Sequence, residues 1–285
     1  ERQLLREAGE AFLRAVAAED RRALLARSRQ AAEGLLAATE RRYEAGEATA
    51  IELNRSRTAA AAARAEEKAA EADRATALSR LQSLLGLPPA EEVSVSGSLA
   101  PRPLPDVEAL LRTLDQRPDL AALTAEVREA EAEVLLGQAL AGPAWGLRGG
   151  YQREEGADAV TAGVAVSLPW HDRGQETLAL GQARAESLRG ALALARQGAE
   201  AEVRRAAEAL ARQTEAVLEL ERAALPALDD NESLAEKSFD AGEIDLGELL
   251  LLRREILETR LLYADRLLDA ALARLELETA AGALR

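Results

Sequence analysis

Cysteine is missing from all 285 residues, so neither a disulfide framework nor a thiolate metal site can form, and thiols carry no message about redox compartment. A single histidine, His171, is too few for a metal centre that needs three or four ligands. Aromatic residues make up only 2% of a chain that is 48% hydrophobic. The apolar surface is therefore almost all alanine, leucine and valine, which favours helices joined along thin seams over a thick globular core. No run of about 18 apolar residues exists to cross a membrane as a helix, and no signal peptide opens the chain. Methionine is absent and the first residue is Glu1, which leads to the expectation of a mature or trimmed piece of a longer protein. Positive charge is in deficit too: a net charge of -14 argues against a surface that tracks phosphates, so nucleic acid is not an expected partner. No glycine-rich phosphate loop, no nucleophile with a paired base and no zinc-ligand spacing occurs. No catalytic, cofactor-binding or metal residue is expected, and the protein reads as a non-enzyme.

What is present is helical periodicity on a large scale. From residue 1 to about 43, Leu4, Leu5, Phe12, Leu13, Val16, Leu24 and Leu25 cluster towards one face, and Gly46 then supplies a left-handed cap. A second helix runs from about Thr49 to Leu85 and stops at Gly86-Leu87-Pro88-Pro89; its alanine-rich middle, Ala59 to Ala72, lets backbones approach closely. Residues 88 to 105 shift to Pro, Ser and Gly and read as an irregular crossover. Short helix resumes over Asp106 to Asp115, and another helix opens at Pro118, where a missing amide hydrogen costs nothing, and continues to Leu140. A further helix spans about Asp172 to Ala241, with Asp172 as its N-cap and Pro226 bending it; at about 1.5 Å per residue it would extend roughly 100 Å. The last helix, Asp245 to about Ala281, carries Leu257, Leu261, Ala264, Leu268, Ala271 and Leu275 as a coiled-coil seam, with Leu249, Ile256, Tyr263, Ala270 and Leu277 as a second stripe.

Between these helices lies the one segment with a period of two. Val160, Ala162, Val164, Val166 and Leu168 alternate with Thr161, Gly163, Ala165 and Ser167, and Trp145 to Arg153 forms the partner strand, with Glu154 to Asp158 as the turn. Each strand is about as long as a tilted membrane-spanning strand. Trp145, Tyr151 and Trp170 sit at strand ends, where interfacial aromatics are found. A soluble hairpin packed on helices satisfies the same pattern.

The sequence also repeats itself. Arg42-Tyr43-Glu44-Ala45-Gly46-Glu47 recurs 196 residues later as Ser238-Phe239-Asp240-Ala241-Gly242-Glu243, and Glu52-Leu53 recurs as Glu248-Leu249. Both copies fall between two long helices, and in this register the counterparts of Trp145 to Arg196 lie upstream of Glu1. The order of long helix, Tyr/Phe-x-x-Gly-Glu turn, long helix ending in Leu84-Leu85-Gly86-Leu87-Pro88, then Arg117-Pro118-Asp119-Leu120, then a hairpin closing on Leu168-Pro169-Trp170-His171-Asp172-Arg173-Gly174-Gln175, resembles the outer-membrane efflux channel family of the TolC type. The expected fold is mainly α: very long antiparallel coiled-coil helical hairpins in two structural repeats, with one β-hairpin that becomes part of a membrane β-barrel in the complete trimer. Residues 1–87 form the first hairpin, truncated at its start, 88–117 the crossover, 118–142 a helix, 143–170 the barrel hairpin and 171–285 the second helical hairpin.

The resemblance implies a homotrimer in the complete protein, located in the outer membrane with a periplasmic extension. It would work with a periplasmic adaptor and an inner-membrane efflux transporter, and without a cofactor. Carried onto this sequence, it places Tyr43, Gly46 and Glu47 at one adaptor-contacting turn and Phe239, Gly242 and Glu243 at the other; the competing reading, favoured for the two aromatics, is that these residues only end their helices. Glu52 and Glu248 match an acidic periplasmic gate, whose second acidic position falls here on Arg55 and Leu251. Thr49-x-x-Glu52 and Asp245-x-x-Glu248 also have capping-box spacing, which needs no pore. A soluble coiled-coil scaffold or adaptor, its hairpin only bracing the helices, is the alternative function.

Overall fold

Strong helix formers fill the chain, and in the computed structural model, which describes residues 2–88, 90–154, 156–168, 170–171 and 173–283, long helices follow. They are α1 (Arg2–Glu44), α2 (Ala50–Leu84), α3 (Val107–Arg112), α4 (Pro118–Leu140), α5 (Gln175–Glu219), α6 (Leu225–Asp240) and α7 (Leu246–Ala280), with a 3-10 turn at Leu114–Gln116 and strands β1 (Ala144–Glu154) and β2 (Ala157–Ser167) between α4 and α5. Two compact units emerge, Glu1–Glu108 with Glu202–Arg285, and Ala109–Ala201.

In the first unit α1 and α2 form one helical hairpin and α6 and α7 another. The buried positions of α2 are Leu53, Ser56, Ala60, Ala63, Glu67, Ala70 and Leu81. Up to Ala70 they step by three and four, the spacing of a coiled-coil seam. Only part of the alanine-rich stretch is used: Ala60, Ala63 and Ala70 are buried, whereas Ala61, Ala62, Ala65, Ala69 and Ala72 face outward. The polar members of the seam are matched by α1. Ser56 Oγ donates to Thr39 Oγ1 at 3.0 Å, and Glu67, 8% exposed, lies 2.6 Å from Arg29 Nε in an ion pair that is not aligned as a hydrogen bond. Buried polar pairs of this kind fix register more than they add stability. Gln82 holds the start of the crossover by donating to the carbonyls of Pro88 and Glu91. Arg274 of α7 holds its end by donating to those of Arg102 and Pro103.

Two expectations take a more particular form in this unit. The helix expected from Asp172 to Ala241 is interrupted by a π-turn at Leu220–Ala224. Pro226 is the cause: continuing the α-helix would drive its ring against the Arg222 carbonyl, at a cost of about 3 kcal/mol. The chain widens by one residue instead, and Leu225 N–H donates to Leu220 O. Asp172, the expected N-cap, lies outside the described residues, and the helix begins at Gln175. In α7 the two stripes are unequally buried. Leu249, Ile256, Ala270 and Leu277 are buried, while the expected seam from Leu257 to Leu275 is only half-buried. The buried stripe runs beside arginines spaced by seven and fourteen residues, Arg253, Arg260 and Arg274, whose partly covered guanidinium groups conceal the seam from a reading based on apolar residues alone.

In the second unit Pro118 occupies the first turn of α4, as expected. The Arg117-Pro118-Asp119-Leu120 motif acts as a local clasp. Arg117, 7% exposed, grips Asp119 through Nε at 3.1 Å and Nη2 at 2.7 Å. That grip holds the Asp119 carboxyl below its ordinary range. Helices α4 and α5 approach until main chains touch. A Cβ on Gly137 would stand 2.6 Å from Leu178 N, and one on Gly174, which has φ +72°, 2.6 Å from Gly137 O. The strands pair antiparallel from Ala144↔Ser167 to Glu154↔Ala157. The turn is thus tighter than the expected Glu154 to Asp158, because Gly156 adopts φ 89° and closes the loop in two residues.

Candidate functional site

Both turns between long helices are built by one device. At the end of α1, Gly46 N–H donates to Tyr43 O and Glu47 N–H to Arg42 O. At the end of α6, Gly242 N–H donates to Phe239 O and Glu243 N–H to Ser238 O. The two glycines sit at φ 77° and 75°, in the left-handed cap that pairs otherwise orphaned carbonyls. No atom lies within 4 Å of a Cβ built at either, so the glycine is required by backbone angle and not by crowding.

Two residues further on, the next helix is capped. Thr49 accepts from Glu52 N–H at 3.2 Å, and Glu52 Oε2 accepts from Thr49 N–H at 2.6 Å and Thr49 Oγ1 at 2.8 Å. This complete capping box, chiefly the backbone bond from Thr49, pulls the Glu52 carboxyl below its ordinary pKa. All of that bonding falls on Oε2. In the second copy Asp245 accepts from Glu248 N–H at 2.9 Å, and among the described residues no reciprocal bond is made. Glu248 is exposed.

The expected turn residues are brought side by side in the first unit, but they are placed differently. Tyr43 is 44% exposed. Phe239 packs against the cluster of Leu35, Ala235, Leu246 and Leu249, with the Arg42 guanidinium 5.8 Å from its ring centroid. Glu47 is exposed, whereas the Glu243 carboxylate accepts from Ser238 Oγ at 2.9 Å. Arg42 also helps lower the Glu52 pKa, while Asp245 opposes it, so both turns act on one carboxyl. Arg55 lies across the start of α7, its Nη1 2.5 Å from where a Cβ on Gly247 would stand.

Arg42 and Ser238 had no role in the sequence reading. The signal was available: Arg/Ser is the one non-conservative pair among the six aligned residues of the repeat, and each member makes a contact its counterpart does not.

The hairpin is the second candidate region. The register sets Trp145, Leu147, Gly149 and Tyr151 opposite Val166, Val164, Ala162 and Val160. These side chains share one apolar face, while Gly146, Arg148, Gly150 and Gln152 share the other with Ala165, Gly163, Thr161 and Ala159. The apolar face is bare: Trp145 is 73% exposed, Leu147 87%, Tyr151 65%, Val160 80% and Val164 66%. Trp145 and Tyr151 stand at opposite ends of this band, and Tyr151 Oη donates to Asp158 Oδ1 at 2.6 Å. Trp170, beyond the end of β2, is 77% exposed. His171 is exposed. Among the described residues no helix is long and apolar enough to cross a membrane, and no group of three or more His, Cys, Asp or Glu could hold a metal ion.

No protein-family model and no curated protein matches the sequence. Solved structures do match. The outer-membrane channel OprN superposes with a TM-score of 0.70 at 22% identity, over 99% of this chain and 66% of that one. The open-state MtrE outer-membrane channel of Neisseria gonorrhoeae gives 0.70 at 19%, over 99% and 66%. The outer-membrane protein VceC of Vibrio cholerae gives 0.69 at 18%, over 99% and 70%. This chain spans about two thirds of the length of these proteins. Likeness at this identity establishes a shared fold.

Proposed function

We propose that this chain, which has the fold of outer-membrane channels, is the channel component of a tripartite efflux system, residing in the outer membrane with its helical hairpins in the periplasm. The observation that carries the reading is the bare apolar face of the hairpin. A two-stranded sheet with both edges unpaired is marginal in water. An apolar band on one face with small and polar residues on the other suits a strand pair between lipid and lumen. Trp145, Tyr151 and Trp170 would then lie at the membrane interfaces. A scaffold whose hairpin braces helices would instead cover that face.

In this reading three copies assemble and pass small molecules or ions from an inner-membrane transporter through a periplasmic adaptor. The turns at Tyr43, Gly46 and Glu47 and at Phe239, Gly242 and Glu243 meet the adaptor. Glu52 and Glu248 ring the entrance. Capping and gating are compatible at Glu52, because the cap uses Oε2 and leaves Oε1 available to repel like carboxylates and attract cations.

The test is fractionation of the protein expressed in a Gram-negative cell, with Leu147→Arg alongside. The unsubstituted chain is expected in the outer-membrane fraction. The charge placed on the lipid face, costing about 2 to 4 kcal/mol near the bilayer midplane, should remove most of it. A chain that stays in the soluble periplasmic fraction, or that ignores Leu147→Arg, rejects the reading.

A further inference from the structure

Threonines inside the helices share one habit. Thr39, Thr58, Thr76, Thr124, Thr259 and Thr279 each donate their hydroxyl to the carbonyl four residues back, the usual local partner of a helical threonine. Among the described residues, Thr214 of α5 is the exception past the first turn of a helix. It is only 9% exposed, makes no such bond to Leu210, and lines a cleft of about 240 Å³ in the first unit. A hydroxyl so well covered is costly to leave unpaired, and the cleft is the place from which a partner can reach it.

The cleft has apolar walls and an excess of positive charge. Phe12 and Leu13 of α1, Leu210 of α5, and Ala270, Ala271 and Leu275 of α7 supply the walls. Gly9 lets α1 come close to α7 there, since a Cβ on it would stand 3.0 Å from Leu275 Cδ1. The crossover lies against the same wall: a Cβ on Gly97 would be 3.3 Å from Phe12 Cζ. Arg274 pins the crossover, donating Nη1 to Arg102 O at 3.3 Å and to Pro103 O at 3.0 Å, and is itself steadied by Nε donating to Glu278 Oε1 at 3.2 Å. A guanidinium carries five N–H donors, and its Nη2 makes no hydrogen bond among the described residues. Arg102 also lines the cleft and has no ion pair among the described residues. Two guanidinium groups therefore face one carboxylate, Glu278, which Arg274 already holds. Such a local surplus stands out in a chain of net charge -14.

We propose that this cleft binds a small organic carboxylate with an apolar body. The body lies against Phe12, Leu210 and Leu275, the carboxylate accepts from Arg274 Nη2 and from Arg102, and the Thr214 hydroxyl supplies the bond that orients the molecule. A guanidinium held rigid by three bonds and left with one open edge suits a planar carboxylate, because charge-assisted bonds are about twice as strong as neutral ones. Organic cations are repelled by the same pair of arginines, and a neutral molecule would cover Arg274 without pairing it. The volume is below that of a drug-sized pocket, which limits the ligand to one ring or a short branched chain. This site lies wholly in the first unit, and it holds whether or not the chain resides in the outer membrane.

Fluorine NMR with para-trifluoromethylbenzoate as the probe tests it, on the full chain in detergent micelles with empty micelles as the reference. Saturable binding is expected with a dissociation constant of about 1 mM, the strength that suits a ligand of this size. The neutral amide of the same acid should bind roughly tenfold more weakly, having lost the charge-assisted bonds. Ala271→Phe, which fills the cleft and leaves the bonds of Arg274 in place, should abolish binding. Thr214→Val, which keeps the shape and removes the hydroxyl, should weaken it roughly fivefold, and it serves if Ala271→Phe fails to fold. Overturning results are no saturable binding up to about 10 mM, an amide that binds as tightly as the acid, or an affinity unchanged by Ala271→Phe or by Thr214→Val.

Discussion

The turn after α1 and the turn after α6 have the same backbone and different surroundings. Glycine angles agree within a few degrees and three hydrogen bonds of the first turn recur in the second, which adds a longer one from Ile244 N–H to Ser238 O at 3.4 Å. Yet one aromatic ring faces solvent while the other is packed beneath an arginine, and one following helix has a complete capping box where the other has half of one. The short motif therefore dictates local chain reversal, and the side chains around it decide whether the turn is anchored. A repeat preserves geometry more readily than it preserves role.

The largest break in this comparison should come from the rings. Phe239→Ala is expected to cost about 2 kcal/mol, the share of a half-buried phenylalanine, while Tyr43→Ala should stay within about 0.5 kcal/mol; thermal unfolding followed by circular dichroism measures both. Comparable losses would mean that Tyr43 is covered by something outside this chain.

The glycines should show the opposite, a matched pair. Gly46→Ala and Gly242→Ala each place a Cβ in the left-handed region with no atom nearby to clash, so each should cost about 1 kcal/mol of backbone strain. A difference of more than about twofold between them in the same melts would show that surroundings enter at the backbone as well.

Acid sharpens the comparison least but most specifically. The folded Glu52 carboxyl titrates below its ordinary value of 4.5. Its contribution is whole above that pH and is lost as pH falls through the lower folded value. Amide exchange at Thr49, corrected for its intrinsic rate, should accelerate across that window, and Glu52→Gln, which still accepts a hydrogen bond when neutral, should flatten the response. Persistence of the acceleration in Glu52→Gln would assign it to another group.

Much of the architecture could be read from residue order alone. Pro118 at the start of α4, the glycines that end α1 and α6, and the period of two across Val160 to Val166 each reflect a local restraint that acts wherever the chain is. Other features depend on what comes from far away. The buried stripe of α7 runs beside arginines whose burial is decided by acids on α6 and carbonyls of the crossover, so apolar spacing alone did not tell which stripe lies deeper. A proline signals a disturbance without stating its form, and the π-turn is one of several ways a helix can accommodate Pro226. At the turns, the ordering of Tyr43 and Phe239 by exposure was invisible because both are aromatic at equivalent positions.

The foot of the β-hairpin has a different kind of permanence. Where Gly137 meets Leu178 and Gly174 meets the carbonyl of Gly137, there is no side-chain cushion that a neighbouring substitution could trim or refill. Drift in the surrounding sequence can recolour every exposed position of α4 and α5 without altering how near they stand, but one methyl group at either glycine forces the pair apart. The point where the two strands leave the helices is thus fixed by the thickness of the polypeptide itself.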